Sequence, residues 1–160
     1  MSIYMYSSFR RIFKYCLVGL VINLCSGCAS NQMEIDFFES EYGQAGTRFE
    51  TYSIADQIKI YLYGVQTEVP PVPVLSRPIA EHGLVAIPTI MNTLKTNPTD
   101  QNIKDLMVIF ETMQRIGSYD VQHDKSLMKK LDAYINGMKD GMLRGYTKEK
   151  LTQIKKFNGE

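Results

Sequence analysis

Along most of the chain, apolar residues recur with the spacing of helices rather than strands. Ser53 can cap a run from Ile54 to Gln66, in which Ile54, Ile58, Tyr61, Leu62 and Val65 fall on one face. The segment Glu68 to Pro73, EVPPVP, ends that helix, because three prolines in four positions hold the backbone extended. Ser76 followed by Pro78 predicts a short helix closed by Gly83. The next runs from Leu84 to Thr96, with Pro88 in its first turn and Ile87, Ile90, Met91 and Leu94 on one side. Asn97 to Asp100, NPTD, is a turn ending in capping residues. The clearest stripe follows: Ile103, Leu106, Met107, Phe110, Met113 and Ile116, closed by Gly117. Asp124 predicts a cap for a helix through about Lys139, with Leu127, Leu131, Tyr134, Ile135 and Met138 inward. Thr147, with Lys150 three residues on, predicts the opening of a last short helix carrying Leu151, Ile154 and Phe157. No stretch alternates with period two. The expected domain, residues 48–160, is therefore all-α, with five to six helices joined by short turns that make neighbours antiparallel.

Upstream the pattern changes. Arg10, Arg11 and Lys14 precede the apolar run Tyr15 to Leu24, YCLVGLVINL, and then the small-residue stretch CSGCAS. A basic region, an apolar core of about ten residues and small residues beyond it make a secretory signal peptide, whether the chain starts at Met1 or at Met5. The run is shorter than the roughly 20 apolar residues a membrane-spanning helix needs. Cys25, Ser26, Gly27 and Cys28 resemble the lipobox of bacterial lipoproteins, with Cys25 where that family usually has leucine. The resemblance implies cleavage between Gly27 and Cys28, diacylation of the Cys28 sulfur, and a third acyl chain on its new amino group. Ala29 lacks the aspartate that retains such proteins on the inner membrane, which by resemblance favours the outer one. The expected organisation is a signal peptide over 1–27, a lipid-anchored acidic tether over 28–47 and the helical domain over 48–160. Two acyl chains would make the anchor stable, where one alone binds reversibly.

The pair Ile87 to Thr96 and Asp100 to Gly117 resembles a HEAT-type helical unit, with an early proline, an aliphatic pattern ending at Leu94, an Asp-containing turn and a longer amphipathic helix. The domain is thus expected to be either a small irregular helical bundle or a HEAT-like array of helical hairpins.

Composition sharpens this picture in two places. The 160 residues carry a formal net charge of +1, and all three cysteines, Cys16, Cys25 and Cys28, lie before residue 29. Cleavage before Cys28 would leave one cysteine, acylated, so the domain must cohere through its apolar core without a disulfide. Charge is also uneven. Residues 29–50 carry five acidic side chains against one basic, whereas residues 125–156 carry nine basic against three acidic. Lys129, Lys130, Arg144, Lys148, Lys150, Lys155 and Lys156 make the C-terminal end a candidate contact for an acidic partner or anionic lipid headgroups. Nucleic acid is not an expected partner of an exported, lipidated domain.

Candidate chemistry is sparse. His82 adjoins Glu81 and His123 adjoins Asp124, but adjacent residues on a helix point about 100° apart and form no chelating or catalytic pair unless the fold brings the two histidines together. No nucleophile or metal-ligand motif stands out, and no catalytic residue, metal or cofactor is assigned. Met91, Met107, Met113, Met128, Met138 and Met142 fall mainly on the apolar stripes, as core residues or as the lining of an adaptable groove. The leading expectation is a non-enzymatic protein-binding or adaptor module, lipid-anchored through Cys28 at the periplasmic face of a bacterial membrane, with a protein partner in the envelope. The alternatives are a small envelope enzyme using His82 and His123 with their carboxylates, and an immunity-type lipoprotein that binds a toxin.

Overall fold

The computed structural model describes residues 31–41, 49–69 and 71–157. The expected signal peptide over 1–27, with Gly27, and the expected lipidation site Cys28 lie outside the described residues. The chain divides into two units, one ending at Ser40 and one beginning at Glu41.

In the first unit the described part of the acidic stretch is helical. α1 (Gln32–Asp36) continues into a π-helical turn over Phe37–Glu41. Gln32 Nε2 donates to Asp36 Oδ1 at 2.6 Å, one turn along. Phe37 is fully buried and meets Phe38 edge-on, with ring centroids 5.1 Å apart.

The second unit holds six α-helices and no strand among the described residues: α2 (Ile54–Gln66), α3 (Ser76–Glu81), α4 (Ile87–Thr96), α5 (Asp100–Ile116), α6 (Lys125–Gly137) and α7 (Gly141–Lys155). It is an all-α, irregular helical bundle. Local chemistry sets most boundaries. Ser53 Oγ accepts the Asp56 N–H, Thr99 Oγ1 the Asn102 N–H and Asp124 Oδ1 the Leu127 N–H, each satisfying a donor that the first helical turn leaves open. At the end of α5, Gly117 takes φ 71°. Its N–H then bonds Gln114 O, and Ser118 N–H bonds Met113 O, so the last carbonyls are paired.

α5 lies at the centre. Besides the expected stripe from Ile103 to Met113, it buries Asn102, Asp105, Ile109, Thr112 and Gln114. A helix covered on most of its circumference must satisfy its polar side chains internally. Asn102 Nδ2 donates to Asn97 O, Thr112 Oγ1 to Val108 O, and Gln114 Oε1 accepts Gln122 N–H. Among the described residues, no buried side-chain nitrogen or oxygen lacks a partner.

Long-range contacts fix how the helices run. Asp100 accepts the backbone N–H groups of Lys139 and Asp140, and eleven residues further along α5 Glu111 pairs with Lys150 at 2.9 Å. Both contacts link residues about 39 apart, so α5 and α7 lie side by side in parallel. The intervening α6 returns from the end of α5 to its start. On another flank the Tyr61 hydroxyl donates to Asp105 O, and Gln66 Nε2 reaches both Asn102 Oδ1 and Asp105 Oδ2 at 2.9 Å, so α2 packs against the first half of α5. The dominant neighbours of α5 are α7 and α3, with α4 a lesser contact.

Two expected boundaries are corrected. The helix drawn from Leu84 starts at Ile87, and Gly83–Val85 form a 3-10 turn. Pro88 has no N–H to bond the carbonyl of Leu84, so α-helix cannot extend back through that residue. The last helix opens at Gly141, not Thr147, with Asp140 Oδ1 accepting the N–H groups of Met142 and Leu143. Thr147 lies in mid-helix and fully buried, its hydroxyl satisfied by donating to Leu143 O at 2.7 Å. Met142 consequently falls in the first turn of α7 and is 84% exposed rather than part of a core stripe.

Candidate functional site

The histidines and their neighbouring carboxylates are taken up separately. Gln57 is fully buried; its Nε2 donates to Tyr52 O, which leaves Oε1 facing His82 Nε2 at 3.2 Å. Glu81 pairs with Arg77 one turn back on α3, at 3.0 Å. His123 Nδ1 lies 2.8 Å from Asp120, whose hydrogen bond and charge contact with that ring lower its pKa, its small desolvation notwithstanding. Asp124 is the cap of α6 and also accepts the Tyr119 hydroxyl at 2.7 Å. The Leu127 N–H first, then that hydroxyl, hold its carboxyl below the usual carboxylate range. Among the described residues no hydrogen bond or ion pair joins His82 to His123. Nor do three or more His, Cys, Asp or Glu side chains there gather as metal ligands.

The C-terminal cations behave in three ways. Lys150 is drawn inward, with Nζ 2.9 Å from Glu111 and 5.7 Å from the Tyr146 ring centroid. Burial opposes its charge, but the hydrogen bond and charge of Glu111 prevail and raise its pKa. Lys155 bridges to Asp132 of α6 at 3.2 Å, and Arg144 turns back toward Met138 O at 3.4 Å. Lys129, Lys148 and Lys156 are exposed and make no ion pair among the described residues. Lys130 is exposed near Asp124, whose carboxyl it helps to keep ionised.

Exposed apolar side chains are a feature the sequence reading did not single out. Val69 (93%), Val74, Leu84 and Val85 stand out on the segments around α3, and Met142 and Tyr146 on α7. The signal was present for α7: Leu143, Thr147, Leu151 and Ile154 make a helical stripe from Asp140 onward, which places Met142 and Tyr146 off it. A threonine in the stripe and two glycines beside it masked the pattern.

Measured against known protein families, curated protein sequences and solved structures, the chain has no match.

Proposed function

We propose that this chain is a lipid-anchored protein of the bacterial cell envelope whose helical domain works as a protein-binding or adaptor module at the periplasmic face of a membrane, the outer one favoured by Ala29. The observation that carries the address is the order of Arg10, Arg11 and Lys14, the apolar run, and Ser26-Gly27-Cys28. For the domain, the commitment of His82, Glu81, His123 and Asp124 to separate structural partners supports a binding role over acid–base chemistry. Leu84 and Val85, neighbouring exposed apolar side chains of the 3-10 turn before α4, add surface of the kind that binding modules use.

Radiolabelled acyl incorporation tests the anchor. Wild-type protein takes up label and Cys28→Ser does not; equal labelling of the two would overturn it. For the binding role, a photoreactive amino acid at Val85 of the full-length protein, irradiated in cells, should give one discrete crosslinked species. Unchanged monomer at Val85, Leu84 and Val69 alike would count against a protein partner at these surfaces.

A further inference from the structure

The basic residues at the C-terminal end separate by helix face, and one group of them forms a continuous edge. Lys155 of α7 touches Asp132 of α6, which identifies the edges of the two helices that adjoin. Because successive residues turn by about 100°, Arg144 and Lys148 share the edge of Lys155, and Lys125 and Lys129 share the edge of Asp132. Lys130, two positions before Asp132, lies about 200° away from it, and Lys150 is held by Glu111. The seam between α6 and α7 therefore concentrates cations that the sequence scatters over thirty positions. Asp132, neutralised by Lys155, is the acidic group on that seam. Beyond it the outer side of α7 exposes Lys156 and Met142, with Glu149 as its acidic group.

We propose that this seam and the outer side of α7 are a contact surface for anionic phospholipid headgroups. The proposal rests on the reading that acyl chains on Cys28 confine the chain to a membrane. Lysines strung along a convex helix about 22 Å long fit a flat anionic layer better than the recess of a protein pocket. Each lysine near such a layer raises occupancy by roughly a factor of five at ordinary ionic strength, and only within about 8 Å. Met142 supplies an apolar body that can settle at headgroup depth.

Brief acetylation of lysines, read by mass spectrometry, tests this on the full acylated protein reconstituted into vesicles. One set contains phosphatidylcholine alone, the other phosphatidylcholine with phosphatidylglycerol. On the anionic vesicles Lys129, Lys148 and Lys156 should label several-fold more slowly than on neutral ones, and about 0.5 M salt should remove the difference. Lys59 and Lys95, on α2 and α4, should label equally on both. The pair Lys148→Glu and Lys156→Glu should abolish the protection of Lys129, whereas Lys59→Glu leaves it. Equal labelling of the three lysines on both vesicles overturns the proposal, as does equal protection of Lys59 and Lys95. Protection found only in native envelope membranes would also overturn it, in favour of an acidic protein surface. The acyl mass on the Cys28 peptide, read in the same spectra, reports separately whether the anchor itself is present.

Discussion

Asp140 donates its backbone N–H to Asp100 Oδ2 at 2.6 Å, and the carboxylate of Asp140 in turn caps α7. The first residue of α5 thus holds the loop from which α7 starts, while Lys139 N–H shares the same oxygen at 2.8 Å. Asp100→Ala removes an acceptor from two backbone donors and should cost about 1 kcal/mol, limited by water that replaces it at this exposed site. Asp140→Ala should cost about 1 kcal/mol as a lost cap. Asp100→Asn, which keeps a side-chain oxygen, should recover most of the loss. Urea midpoints with unchanged slope would check all three.

Two glycines should respond to alanine with opposite sign. Gly83 has φ 54°, and a Cβ there would sit 2.5 Å from the Ser118 carbonyl oxygen, so Gly83→Ala should destabilise by roughly 1–3 kcal/mol. That backbone approach is tied by the Ser118 hydroxyl, which donates to Ala80 O at 2.6 Å. Gly145 lies inside α7 with open space around its Cβ position, so Gly145→Ala should stabilise by about 0.5–1 kcal/mol. Thermal melts of the two variants beside wild type decide the matter.

Stability should fall at alkaline pH. Burial first, then the charges of Asp105 and Tyr146, push the Tyr61 hydroxyl far above its ordinary range. A phenol whose folded pKa is raised keeps its full contribution below the unfolded value of 10, and loses it as pH climbs through the unfolded value toward the folded one. Lys150, raised by Glu111 against the opposing effect of burial, loses its contribution as pH rises through its folded value. Tyr61→Phe should flatten the decline above pH 10. At neutral pH it should cost about 1–2 kcal/mol, because Asp105 O loses its donor in a buried place. Urea titrations at pH 7 and pH 10.5 read both effects.

At acid pH the cap of α6 should weaken. The Leu127 N–H and the Tyr119 hydroxyl lower the Asp124 pKa below 3.8, so its contribution is present above that value and lost as pH falls through the folded one. Asp124→Ala should cost about 1–2 kcal/mol at pH 7 and less at pH 2. Tyr119→Phe, which removes one of the two bonds, should cost about half as much.

Helix starts and stops are written locally, which is why α2 and α5 follow from the chain alone. Ser53, Thr99 and Gly117 act on backbone groups three to five residues away, and no distant partner is needed. The start of α7 was missed because its buried stripe contains Thr147, a residue whose burial is tolerated only because its hydroxyl bonds within the helix. The basic end was legible as a count of charges, yet its division was not, since Lys130 and Lys150 differ from Lys129 and Lys148 only by the face they occupy.

The sequence by itself determined the helical class and most boundaries in the second unit, because caps, prolines and apolar periodicity act over a few residues. Tertiary structure decided that α5 is covered on most sides, that α7 packs beside α5 and so runs parallel to it, and which cations remain free. Those depend on contacts such as Asp100 with Asp140 and Glu111 with Lys150, about 39 residues apart, for which no local pattern of side chains exists.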